Sequence, residues 1–305
     1  GVCIVGLLQD TRLDIDQVGK IEFIFLTLFM IEPTDALALG KITAYPSQYD
    51  PGLLFPIPRQ VGRADLGLGQ NGLPFVGWDL WNAYEVSWLT PTGIPRVALL
   101  RAQVDALSPN IVESKSFKLY LNSVNQTRFD SSHALLTTLE KDLSALCGSP
   151  VQLSLIEAND FAQQRIVEPS GICLDDQDLA IDRYTPDESL LGNTSADVVK
   201  QSVYSRLLKS NCPITNQPDW ACVQIDYAGP QIDLGGLLKY IVSFRDHGGF
   251  HEHCVERIFT DMMRRCKTVE LSVYARYTRR GGLDINPWRA TPGMPAPSQH
   301  RSARQ

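Results

Sequence analysis

ESKSFKLYLNS, residues 113–123, lies over DLGGLLKYIVS, residues 233–243, without a gap. The overlay pairs Tyr120 with Tyr240 and Ser123 with Ser243, and VQLSL (151–155) also matches VELSV (269–273). Matches in the same order in both halves predict a tandem duplication of one strand–helix–strand unit. Around the first copy, YEVSWL (84–89) alternates like a strand, and RVALLRAQVDA (96–106) follows as a second after the turn PTGIP. SSHALLTTLEKDLSAL (131–146) spaces its leucines for a helix that starts at Ser131 and closes at Gly148; VQLSLIEA (151–158) then returns as a strand. The second copy repeats the order: strand 220–227, helices 234–244 and 251–266, and strand 269–277.

Between the copies, residues 159–200 are rich in Asp, Gly, Pro and Ser and read as a long connection with little regular structure. The final TPGMPAPSQHRSARQ (291–305) reads as a disordered tail. The 44% hydrophobic and 20% charged residues describe a globular chain, and a net charge of −6 argues against a general nucleic-acid binder. Seven scattered cysteines form no disulfide framework, so reduced thiols in a cytoplasmic protein are expected, and the sequons at Asn125 and Asn193 carry no weight. IEFIFLTLFMI (21–31) is too short to span a membrane and contains Glu22. Because Met30 is the only methionine before Met262, translation is expected to start near it, with the preceding residues an extension.

Two motifs lose to simpler readings. GLGQNG (67–72) spells a dinucleotide fingerprint, but no strand delivers it to a helix and Pro74 breaks the chain two residues later, so a glycine turn is expected. His247, His251, His253 and Cys254 cluster as zinc ligands do, yet there is no HExxH or CxxC, and His251 and His253 point to different faces of one helix. Cys222, in a strand, and Cys266, at a helix end, are expected to pack as small apolar residues.

Chemistry concentrates in four places. Cys212 lies in a Pro-punctuated turn among Asn211, Thr215, Asn216 and Gln217, where a thiolate nucleophile, a metal ligand and a packing residue all stay open. Asp219, seven residues on, would raise the thiol pKa by repulsion, or serve as acid and base if it takes the thiol proton. FHE (250–252) opens a helix with a ring and a carboxylate, and ESK (113–115) offers a carboxylate, a hydroxyl and a cation. YTRRGG (277–282) sets two arginines before a glycine pair, which suits phosphate approach or only a solvated strand end.

ESKSFKLYLNS, LLKSNCPITNQPDW, SFRDHGGFHEHCVERIF and SVYARYTRRGGLDINPW together resemble the long, two-module form of the NADPH-dependent 7-cyano-7-deazaguanine reductases, nitrile reductases of queuosine biosynthesis. The resemblance runs from about Leu39 to Arg289, in the family's order. It implies an α+β fold of tandem tunnelling-fold (T-fold) modules, antiparallel sheets backed by helices that assemble into barrels, in a homodimer. It divides the chain into an extension (1–37, poorly ordered), a first module (38–158), a connection (159–200), a second module bearing the nucleophile (201–289) and a tail (290–305). By the same resemblance Cys212 is the nucleophile that captures the nitrile as a thioimide and Asp219 the acid and base. Val112, Glu113, Ser114, His251 and Glu252 would contact the deazaguanine, and Ser114, Lys115, Arg280 and Gly281 the NADPH. No metal, membrane or direct nucleic-acid partner is implied. A zinc-dependent pterin-type enzyme on the same fold and a non-catalytic binding barrel are the competing readings.

Overall fold

In the computed structural model, residues 46–69 and 72–305 are described. The apolar stretch 21–31, the expected start near Met30, the extension 1–37 and part of the GLGQNG turn lie outside them. The elements, in order, are β1 (Pro56–Pro58), α1 (Arg59–Ala64), β2 (Val76–Leu89), β3 (Pro95–Asp105), β4 (Asn110–Val112), α2 (Ser114–Ser123), α3 (Ser132–Cys147), β5 (Val151–Glu157) and β6 (Ile172–Cys173). They continue with β7 (Asn193–Asn211), β8 (Pro218–Ile232), α4 (Leu234–Ser243), α5 (His251–Cys266), β9 (Glu270–Tyr277) and β10 (Leu283–Ala290).

Eight strands form one sheet in the order β5-β3-β2-β10-β9-β8-β7-β6, antiparallel except where β6 runs parallel to β7. The halves meet where β10 pairs with β2, Trp288 opposite Trp78 and Ile285 opposite Trp81. β10, the first eight residues of β2 and the whole of β7 were not expected from the sequence. β2 and β10 are buried along most of their length, so period-2 alternation is weak where both faces are covered.

The residues that match between the two halves make matching side-chain contacts. Glu113 caps α2 by accepting from the N–H groups of Lys115 and Ser116, and Asp233 caps α4 by accepting from Gly235. Tyr120 donates to Asp142 Oδ2 at 2.6 Å, and Tyr240 donates to Asp261 Oδ2 at 2.7 Å. Ser123 and Ser243 each donate to the carbonyl of the tyrosine three residues earlier. Each copy then buries its own apolar stripe: Phe117, Leu135, Leu139 and Leu143 in the first, Leu237, Val255, Phe259 and Met262 in the second. Burial of such side chains contributes about 1.5–3 kcal/mol each.

Between the two cores lies a buried charge network. Arg289, with no exposed surface, pairs with Asp79 at 2.8 Å and Glu256 at 2.9 Å; Arg59 holds Asp79 at 2.5 Å and Arg63 holds Glu256 at 2.7 Å. Burial pushes both carboxyls up, but the guanidiniums, Arg289 foremost, outweigh it and hold each below its ordinary range. Arg289→Met leaves two buried carboxylates short of a partner, and is expected to lower unfolding free energy by about 3–5 kcal/mol in urea titrations.

Residues 291–305 correct the expectation of a disordered tail. Ser302 and Gln305 are buried, and Gln305 donates to Asn286 Oδ1 and to the Tyr277 carbonyl. Val167 N–H donates to the Arg301 carbonyl, and the Arg276 guanidinium donates to the carbonyls of Val167 and His300. The segment has poor helix and strand propensity, but side chains from the sheet satisfy its backbone. Composition along the chain cannot register that contribution.

Candidate active site

The β7–β8 hairpin presents Cys212. Its turn is closed by Cys212 N–H donating to the Gln217 carbonyl and Asn216 N–H donating to the Cys212 carbonyl, both at 2.9 Å; Asn216 takes the left-handed φ of 55° that the turn requires. Asn211, just before Cys212, exchanges backbone hydrogen bonds with His247 and Gly249, which ties the hairpin to the start of α5. The thiol and the N-terminus of that helix are thus held on one frame.

Burial raises the Cys212 pKa. Hydrogen bonds from the Thr215 hydroxyl and N–H, the Ile214 N–H and the Arg280 guanidinium outweigh that, so the thiol sits below its ordinary value. The sequence placed Thr215 near the thiol without showing that it donates to it, and left Asp219 either repulsive or a proton acceptor; the turn's own donors supply the stabilisation of the thiolate. Cys147, Cys254 and Cys266 are fully buried, and burial pushes their thiols up to about 11, 12 and 11. Cys222 is also buried and raised. Cys212 moves the opposite way from these four.

Asp219, 3% exposed at the start of β8, is gripped from two sides. His251 Nε2 lies 3.2 Å from its Oδ2, while Arg280 Nε lies 2.8 Å from its Oδ1. The Arg280 Nε–H is not directed at Oδ1, so that contact is an ion pair rather than a hydrogen bond, and Oδ1 keeps an open acceptor position. The His251 ring stacks on Tyr277 at 3.7 Å and 9°, which fixes its plane. Glu252, next on α5, is 4% exposed and its Oε1 has no partner among the described residues. Burial, then the Asp79 carboxylate, pushes its carboxyl up to about 8 against the opposing pull of Arg59.

From the other half, Val112 ends β4, and Glu113, Ser114 and Lys115 begin α2. Glu113 spends both carboxylate oxygens on helix-capping bonds, at 3.0 and 2.6 Å, which leaves each one lone pair for a ligand. Arg280 and Gly281 follow β9; Gly281 has φ 58°, and a Cβ there would lie 2.8 Å from Lys118 Nζ. All ten sequence-predicted residues line one cavity of about 270 Å³. Its walls also include Lys118, Thr215, Gln217, Phe250 and Thr278. Lys118 is one turn beyond Lys115 on α2, a signal the i,i+3 spacing carries in the sequence. Gln217 accepts from Arg280 Nη1 at 2.7 Å, a pairing with no local trace.

His251 and His253 do part company, as their helix faces require. His251 enters this cavity, while His253 lies 6.1 Å from His247, ring to ring, around a second one. Among the described residues no three His, Cys, Asp or Glu side chains converge on a metal-sized point, and no helix is long and apolar enough to cross a membrane.

Residues 45–155 match the family model described as nitrile reductase, 7-cyano-7-deazaguanine reductase N-terminal, and residues 218–294 match that of QueF-like protein. Among curated proteins, the NADPH-dependent 7-cyano-7-deazaguanine reductase of Bordetella avium is 57% identical over 273 residues, 90% of this chain and 100% of that protein. The enzyme of the same name from Bordetella parapertussis is 58% identical over 267 residues, 88% of this chain and 97% of that one. That of Burkholderia orbicola is 56% identical over 270 residues, covering 88% and 98%.

Proposed function

The chain belongs to the NADPH-dependent 7-cyano-7-deazaguanine reductase family, and on that footing we propose that it reduces the nitrile of 7-cyano-7-deazaguanine to 7-aminomethyl-7-deazaguanine in queuosine biosynthesis. The observation that carries this reading is the pairing of a depressed, half-buried thiol with a buried, cation-gripped carboxylate in one cavity. A nitrile is a poor hydride acceptor, so it must first be made an electrophilic C=N. Asp219 takes the Cys212 thiol proton, the thiolate adds to the nitrile carbon to form the C–S bond, and Asp219 passes that proton to the nitrile nitrogen; the product is a thioimide.

NADPH, when bound, supplies hydride, twice for each nitrile. Ser114, Lys115, Arg280 and Gly281 fit it: two cations suit a dinucleotide with an extra phosphate, and the space that a Cβ on Gly281 would need is already filled by Lys118. After the first reduction Cys212 leaves as thiolate, the C–S bond breaks, and an imine stays in the cavity. Asp219, held by His251 and Arg280, is the group placed to return protons to nitrogen. The overall reaction consumes one nitrile, two NADPH and two protons. Glu113 and Glu252 face the donor-rich edge of the base, while Val112, Ser114 and His251 complete its walls.

Two further proposals concern assembly. The first module is assigned to 38–158, the connection to 159–200 and the second module to 201–289. Two chains are proposed to close barrels as a homodimer, since β5 at one sheet edge leaves an unpaired backbone row. The activity is tested by following NADPH consumption on addition of 7-cyano-7-deazaguanine with a metal chelator present. Two equivalents oxidised per nitrile support the proposal. No oxidation, or loss of it to the chelator, sinks it.

Glu252 adds a pH signature. A base edge that donates hydrogen bonds favours its carboxylate, but the free carboxyl holds its proton up to about pH 8. Binding below that pH must expel the proton, so affinity is expected to rise with pH, at most about tenfold per unit, and to level off above 8. Calorimetric binding in the Cys212→Ala background, which removes the covalent step, reads this directly. A Glu252→Gln companion should flatten the slope; an equal slope assigns the proton elsewhere.

A further inference from the structure

Behind Glu252 lies a second cavity, of about 310 Å³, between α1, the loop before α5 and one face of α5. Ile111, Pro213, Phe250 and Glu252 are walls of both cavities, so the two stand back to back. Five buried polar atoms on its lining residues have no hydrogen-bond partner among the described residues: Arg59 Nη1, His247 Nε2, Glu252 Oε1, His253 Nε2 and Arg257 Nε. Two of these residues, Arg59 and Glu252, are themselves more than nine-tenths buried. Orphaned buried groups are costly at about 1–3 kcal/mol each, so such a concentration marks a place built to be filled.

The charges point to the occupant. The buried network behind the cavity holds three guanidiniums, of Arg59, Arg63 and Arg289, against two carboxylates, of Asp79 and Glu256, leaving one positive charge over. Arg59 Nη2 is spent on Asp79, while Nη1 is spare. Arg257 adds a second cation, with no carboxylate within 4 Å among the described residues. The one acid on the lining outside the network and Glu252 is Asp65, which is exposed. Burial first, then neighbouring Arg257, keeps both His247 and His253 neutral; His247 can donate through Nε2 without adding charge, while His253 gives its one N–H to the Gly62 backbone and only lines the wall. A guanidinium N–H from each of two arginines, with one imidazole able to donate, is a donor set for a compact oxygen anion.

We propose that this rear cavity is a binding site for a small oxyanion, a phosphate or carboxylate group, held by Arg59, Arg257 and His247. An anion there stands beside Glu252 and opposes its carboxylate. If the nitrile-binding role of Glu252 given above holds, rear-site occupancy weakens nitrile binding, and the nitrile weakens the anion equally.

Titration calorimetry of the full chain with inorganic phosphate, and separately with acetate, at constant ionic strength and without nitrile or NADPH, tests the site itself. One saturable site is expected for one or both anions, and the arm that binds tells phosphate from carboxylate. Arg257→Gln should weaken it at least tenfold. Val61→Trp, at a 70% exposed position on the cavity wall where the fold tolerates change, should do so by obstruction. Lys115→Ala should leave it intact, which separates it from the front cavity. No saturable binding by either anion, or binding lost in Lys115→Ala but kept in Arg257→Gln and Val61→Trp, overturns the site. Nitrile affinity about tenfold weaker at saturating anion supports the coupling, and equal affinity overturns that part alone.

Discussion

Cys212→Ala is expected to lower nitrile-dependent NADPH oxidation by at least about 10⁴-fold, because the residues that remain offer no second route to an electrophilic carbon. None of the other described cysteines lines the cavity, so none can substitute. Cys147, Cys254 and Cys266 are sealed in the core with thiols pushed up to about 11, 12 and 11, and no thiolate forms there near neutral pH. The fold should barely register the change, since Cys212 lies in a hairpin turn held by backbone hydrogen bonds. Intact mass of wild-type protein incubated with the nitrile, without NADPH, should show one adduct of the nitrile's mass, absent from the variant. Turnover within tenfold of wild type in Cys212→Ala would refute the covalent route.

Asp219→Asn is the second large effect, with kcat expected to fall about 10²–10⁴-fold. Asparagine keeps the shape and can still face His251, but it neither gives nor takes a proton. It also leaves Arg280 without its buried anion at 2.8 Å. The thiolate that Arg280 helps to hold keeps its donors, so capture of the nitrile should still go to completion, though slowly with water in place of Asp219 as the proton source, while the reductions fail. The observable is a split: the adduct is still seen by mass, the KM for the nitrile is little changed and kcat collapses. A purely structural role for Asp219 would instead lower thermal stability and adduct yield together. A kcat within a few-fold of wild type sinks the assignment.

Much of the fold is legible in the chain itself. The helices at 132–147, 234–243 and 251–266 follow from leucine spacing and capping residues, local signals that survive folding because the helix itself uses them. The pairing of Tyr120 with Tyr240, read as letters, returns as two matching hydrogen bonds to Asp142 and Asp261. The aspartates were not picked out, since their role appears only when one helix packs on the next. β10 was missed because its eight residues are all buried and carry no alternation. The tail was misread because its order comes from side chains far away in the chain.

For the site, the sequence by itself determined which groups were available, a thiol in a turn, acids at two helix starts and arginines before a glycine pair, and through its resemblance which family they belong to. It could not decide whether Cys212 is acidic. That required the Thr215 and Ile214 donors and Arg280 to converge on one sulfur, against the cost of burial. Nor could it show that Glu113 already caps a helix, or that Glu252 stands between two cavities. A residue's type fixes its chemistry, whereas its pKa and partners depend on burial and on charges within a few ångströms, and only the tertiary structure brings those together.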